Sequence, residues 1–284
     1  MEWLFMHLYM YELELWLNEH SREVLDISFQ SDEANTDRPL KEYLKNVIEN
    51  KCNRIRALNN IENLRTEAIQ YPITNDIKSI YVERVLLQED INLEIEEILK
   101  RRKKTVFTKP DLCLKLNING TITYETIELK STKKDAIPGS SIQQVLPGEW
   151  LIFVKRGKER AEIATGQYFH AINSKMQFPD RSPRPQVSFI ELQNWNSNCR
   201  HNDGKTIAYT SVGDESLKYQ LLTDWQDVLA ERWNEIVFDK NLRKPEPWFN
   251  NNLRKFILKF LRIYDKMSTD EKEEYKMFLN SIIE

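Results

Sequence analysis

The chain has 284 residues, 40% of them hydrophobic and 30% charged, enough apolar material for one large domain or two modest ones. Three widely spaced cysteines exclude a disulfide scaffold and a cysteine-based zinc site, and they fit a reducing, cytoplasmic setting. The net charge of −3 conceals a basic middle: residues 1–99 carry 10 Lys/Arg against 20 Asp/Glu, whereas residues 100–205 carry 19 against 10. Such a segment suits a polyanionic partner, because each cation at a phosphate releases condensed counterions. Two oppositely charged subdomains attracting each other would give the same pattern.

Residues 3–20 read as a helix. The start is apolar but has no basic n-region and no small-residue cleavage site, so a buried or interface helix is expected rather than a leader. A polar break at 30–37 precedes a second helix over 38–71, ended by Pro72. Thr74-Asn75-Asp76 offers an N-cap for a third helix reaching about residue 104. It closes on Lys100-Arg101-Arg102-Lys103-Lys104, where cations complement the helix dipole. From residue 105 the period changes to alternation, with strands expected at 105–117 and 121–131. Residues 149–154 form a near-continuous apolar run, as in a central strand buried on both faces. Between them, Pro138-Gly139-Ser140-Ser141 leads into a short serine-capped helix holding Gln143 and Gln144. Strand-like pieces recur near 162–172, 186–192 and 205–212. The remainder returns to helix, with Trp225, Leu229, Trp233, Ile236, Phe256, Phe260 and Ile263 spaced for core or dimer-interface packing. No run is long and apolar enough to span a membrane. The expected class is α/β (α+β): a helical region at 1–74, a sheet-bearing core at 75–213 and a helical region at 214–284, all in one compact unit.

The segment 109–130 carries the chemistry. Asn119-Gly120 is the strongest short signal for a type I′ turn, since both central residues need positive φ. With Ile118 opposite Thr121, Asp111 falls opposite Glu128, and Lys130 shares the face of Glu128. Leu112, Leu114, Leu116 and Ile118 then line the other face, and their burial resists a one-residue slip. Opposed side chains have Cβ atoms roughly 5 Å apart, where like charges repel. Two carboxylates held so close require a cation between them. An ordinary surface hairpin with acids facing water is the plainer alternative; the opposed acids, the lysine and the turn together favour a site.

Pro110-Asp111, followed after the turn by Glu128-Leu129-Lys130, resembles the motif of the PD-(D/E)xK nuclease superfamily, the fold of many type II restriction endonucleases. The resemblance covers roughly residues 75–175. Glu-x-Lys recurs at Glu49-Asn50-Lys51 and Glu274-Tyr275-Lys276, and Pro-Asp at Pro179-Asp180. Only the 110–130 pair combines a hairpin with a helix before it and a buried strand after it. The resemblance implies a restriction-endonuclease-like mixed sheet flanked by helices, and a Mg²⁺-dependent, sequence-specific DNA endonuclease. Asp111, Glu128 and the Leu129 carbonyl would hold Mg²⁺, a hard cation that prefers oxygen ligands. Lys130 would orient or help deprotonate the attacking water, or stabilise charge at phosphorus; a simple salt bridge to either acid is the alternative. Members of the superfamily often add an acid from the preceding helix. Glu83 and Glu94 lie about three turns apart on one expected helix face, and Glu94, nearer the hairpin, is the expected fourth catalytic residue.

Lys133, Lys134, Lys155 and Arg156 are candidate phosphate grips. Gln143 and Gln144 are candidate polar contacts near the bases, and Arg181 and Arg184 candidate guanine readers on a proline-containing loop. For each, a solvated side chain is an equal reading. Double-stranded DNA is the implied partner, with a second copy of the chain to match a palindromic site. A cognate DNA methyltransferase of the same system would be a functional, not physical, partner. A nicking subunit, a junction resolvase or a repair nuclease of the same fold is a close alternative. A non-catalytic nucleic-acid-binding module with a chance Glu-x-Lys is a further one.

Overall fold

Helix α1 (Glu2–Glu19) is buried around its circumference over residues 5–10, as for a helix packed inside a protein, while Trp3, Leu15, Asn18 and Glu19 are exposed. The computed structural model describes residues 1–28, 37–67, 69–102, 107–140, 144–173, 186–211, 213–238 and 248–283. A short α2 (Ser21–Asp26) follows α1, and then α3 (Arg38–Asn50), whose Leu40, Leu44, Val47 and Ile48 form one apolar stripe. The expected second helix stops there. Asn53, Asn59 and Asn60 favour turns over helix, and the chain enters β1 (Asn63–Thr66) and β2 (Ile69–Pro72).

The expected third helix is also broken up, into α4 (Asn75–Ser79), β3 (Tyr81–Leu86), a 3₁₀ turn at Gln88–Asp90 and α5 (Leu93–Arg102). Tyr81, Val82 and Val85 suit a pleated surface, and pairing with β4 (Leu112–Ile118) supplies the hydrogen bonds a helix would have made internally. Glu83 therefore lies on a strand, 2.5 Å from Lys115 Nζ.

The hairpin has the register its turn demands. Asn119 (φ 51°) and Gly120 (φ 88°) are both left-handed, and β4 meets β5 (Thr121–Thr132) with Ile118 opposite Thr121 and Leu112 opposite Ile127. After β6 (Ala136–Pro138), the apolar run becomes β7 (Trp150–Arg156), and β8 (Ala161–Gln167) follows. The main sheet has the order β3-β4-β5-β7-β8, antiparallel throughout except for the parallel pair β5–β7. This is a mixed α/β fold. Leu112, Leu114, Leu116, Ile127, Leu129, Ile152 and Val154 meet α1 and α3 in one core, each worth roughly 1.5–3 kcal/mol when fully buried. On the opposite face Leu99 of α5 packs with Leu86, Ile91 and Cys113.

Residues 168–171, expected in a strand, form α6 (Tyr168–Ala171). Strand β9 (Gln186–Ser188) pairs with β6 and gives way to α7 (Phe189–Cys199), capped by Ser188, in place of a longer strand. Phe189 meets Phe153 of β7 edge-on, ring centroids 5.6 Å apart. Strands β10 (Arg200–Asn202) and β11 (Thr206–Tyr209) join β1 and β2 in a second sheet, ordered β10-β11-β1-β2, and α8 (Glu215–Thr223) closes the unit. Residues 1–74, read from the sequence as a helical region, also supply β1 and β2, and are shared between the core and this second sheet inside a unit spanning Met1–Thr223. A second unit, Asp224–Glu284, contains α9 (Trp225–Phe238), α10 (Trp248–Tyr264) and α11 (Thr269–Ile283). Of the residues spaced for packing there, Leu229 is buried, whereas Phe256 and Ile263 are exposed. Among the described residues no helix is long and apolar enough to cross a membrane.

Two histidines are buried uncharged. Burial, with Arg200 nearby, lowers His7 to about 3, and burial holds His170 well below the ordinary range. An unfolded chain takes up these protons as pH falls through about 6.5, so the stability they carry is complete above that value and is lost progressively below it. Glu125 acts in the opposite sense. Burial, then its hydrogen bond with Glu2, raises it to about 7, so the folded state gains protons first as pH falls from there. Between pH 7.5 and 5.5, Glu125→Gln is expected to lose about 2 kcal/mol more stability than wild type in urea unfolding, with Glu125 no longer offsetting the histidines. Parallel curves would refute this assignment.

Candidate active site

Asp111 occupies the bend just before β4, and one further step of the β4–β5 register sets it opposite Glu128. Its Oδ2 accepts the Leu129 N–H at 2.9 Å, and its Oδ1 lies 2.6 Å from Lys41 Nζ. Glu128 and Lys130, two residues apart on β5, share one face of the strand, abreast of Leu151 and Phe153 on β7. Lys130 Nζ lies 2.5 Å from Glu128 Oε1 and donates to Ser140 Oγ at 3.0 Å; Ser140 Oγ in turn donates to Glu128 Oε1 at 2.7 Å. The Ser140 backbone N–H donates to the Tyr168 hydroxyl at 3.1 Å, which anchors the 136–140 segment over the pair.

The result is a cluster of two acids and two ammonium groups, Asp111 and Lys41 buried and Glu128 and Lys130 partly so. Burial, then the charge of Glu128, raises the Asp111 carboxyl, while Lys41 and Lys130 pull the other way. Burial works to lower Lys130, but Glu128 and then Tyr168 and Asp111 outweigh it, and the net shift is upward, so Lys130 stays an ammonium. Burial pushes Tyr168 up to about 12, leaving a protonated hydroxyl beside Ser140.

The donor set fits a hard cation. Asp111 and Glu128 offer oxygens from adjacent strands, and the Leu129 carbonyl leaves β5 on the same edge as the N–H that meets Asp111. Among the described residues there is no group of three or more His, Cys, Asp or Glu placed to hold a metal. Two carboxylates and a carbonyl suit a Mg²⁺ ion that keeps several waters, not a zinc ion wanting four nitrogen or sulfur ligands.

Several expected residues lie elsewhere. Glu94 is exposed in the first turn of α5; the helix that reaches the acids is α3, and it brings Lys41. Arg156, expected at a phosphate, is committed inward: it pairs with Asp37 at 3.1 Å and donates to Ile27 O at 2.7 Å and Ser131 Oγ at 3.1 Å, all in the interior. A structural role replaces the expected one. Lys155 is tied to Asp135 at 2.5 Å, and Lys133 and Lys134 are exposed just beyond β5. Gln144 is half-buried in a 3₁₀ turn; Gln143, Arg181, Arg184 and most of the expected short helix lie outside the described residues. Sequence reasoning missed Lys41, Ser140 and Tyr168. For Lys41 there was a signal: it falls on the stripe of Leu44 and Ile48, at a spacing where an apolar residue belongs.

Comparison of the chain with protein-family models, with curated proteins and with solved structures returned no match.

Proposed function

We propose that this chain is a Mg²⁺-dependent, sequence-specific endonuclease of the PD-(D/E)xK kind, most like a type II restriction endonuclease. It would act on double-stranded DNA as a homodimer in the cytoplasm, beside a cognate DNA methyltransferase. The observation that carries the reading is Asp111, Glu128 and Lys130 meeting in one largely enclosed cluster on paired strands, with a parallel strand on the far side of β5. Asp111, Glu128 and the Leu129 carbonyl would hold the ion, which would supply polarisation of a phosphoryl oxygen and a lowered pKa for bound water. Lys130, held charged, orients the attacking water and faces the charge that develops at phosphorus. Ser140 fixes both Lys130 and Glu128.

The test is digestion of mixed-sequence DNA with Mg²⁺, followed by sequencing of the ends. Recurrent discrete ends are expected, and a smear would point to a nonspecific nuclease of the same fold. Cleavage confined to four-way junctions would favour a resolvase. Binding of duplex without cleavage would leave only a binding module.

A further inference from the structure

We propose that Lys41 is the resident counter-ion of Asp111, holding the place of the divalent cation, so that metal binds only by displacing its ammonium group. This rests on the nuclease reading for the identity of the metal site and adds a positioning residue that regulates it. Asp111 has two oxygens, and Oδ2 is committed to the Leu129 N–H at 2.9 Å. The oxygen without a backbone donor is Oδ1, and Lys41 Nζ sits on it at 2.6 Å, with both side chains 9% exposed.

The contact is held from both sides. Arg38, Lys41 and Lys45 fall at spacings of three and four, on one face of α3. Arg38 pairs with Glu89, and Lys45 lies 2.6 Å from Asp90 in the 3₁₀ turn. The buried stripe of Leu40, Leu44, Val47 and Ile48 sets the rotation of α3, and these flanking pairs lie on either side of Lys41 where it meets Asp111. A dication arriving at Oδ1 meets a positive charge at contact distance, where repulsion outside bulk water is severe. The lysine therefore partly offsets, at Asp111, the charge of Glu128 in the metal-free protein, and it weakens the affinity for metal.

Calorimetric titration of Mg²⁺ into the full chain without DNA tests this, with thermal unfolding as a second readout. Lys41→Met is expected to bind Mg²⁺ about tenfold or more tighter than wild type, and Lys41→Arg within about threefold of wild type. Mg²⁺ should raise the Tm of Lys41→Met more than that of wild type, because the ion replaces a lost counter-ion. Lys41→Gln, which can still donate to Asp111, serves should the methionine variant not fold without metal. If wild type binds Mg²⁺ and cleaves DNA while neither neutral variant binds more tightly, Lys41 is an ordinary structural partner and this inference alone is overturned. If no form binds Mg²⁺, the nuclease reading fails with it.

Discussion

Lys130→Ala is expected to lower Mg²⁺-dependent DNA cleavage by about 10²–10³-fold or more, the range seen when one preorganised donor to developing charge is removed. Affinity for duplex DNA should change little, since one buried lysine adds little to a salt-dependent backbone grip. The reasoning is geometric. Lys130 Nζ is fixed between Glu128 and Ser140, so its ammonium is in place before any substrate arrives. Single-turnover cleavage on purified protein checks the rate, and circular dichroism checks that the variant is folded. Undiminished cleavage would remove Lys130, and with it the assigned active site. Lys130→Arg provides a graded control: it keeps the charge but not the fit to Ser140, and should fall between wild type and alanine.

Glu14→Ala should cost about 3–5 kcal/mol of stability, the usual penalty for breaking a buried ionic network at one partner. The Glu14 carboxylate accepts the Thr165 N–H at 2.6 Å, the Thr165 hydroxyl at 3.1 Å and the Asn196 amide at 3.1 Å, and it pairs with Arg200. Removing it leaves Arg200 without its carboxylate partner and strips an acceptor from a backbone N–H of β8. Urea unfolding followed at two wavelengths measures the loss. A change below about 1 kcal/mol would show that water substitutes at the site, since a cavity of about 400 Å³ lined by Tyr11, Asn18 and Arg200 adjoins it.

The sequence was most legible where the determining forces are local. Asn119-Gly120 selects its turn from two residues, and alternating leucines then lock the register, so the opposition of Asp111 and Glu128 followed from 109–130 alone. β7 was legible because a strand covered on both faces must be apolar almost throughout. β3 was not. Ile80, Leu87, Ile91 and Ile98 imitate a helical stripe, and only pairing with β4, far along the chain, tips residues 81–86 into a strand. The choice of Glu94 presumed one continuous helix leading to the hairpin, and the chain instead breaks there into β3, a 3₁₀ turn and α5. Lys41 and Asp111 come together through the packing of α3 against β3; the stripe on α3 marks Lys41 as buried, but not the residue it meets.

The arrangement around α1 also sets an order of assembly during synthesis. Glu14 waits for partners 151, 182 and 186 residues downstream, at Thr165, Asn196 and Arg200. At roughly 5–20 residues per second, that delay is on the order of ten seconds or more. Through it, a largely apolar helix stands outside the ribosome without the strand that covers it in the folded protein. The first helix made is thus among the last to be sealed, and a nascent chain stalled before β8 is the form of this protein most in need of a chaperone.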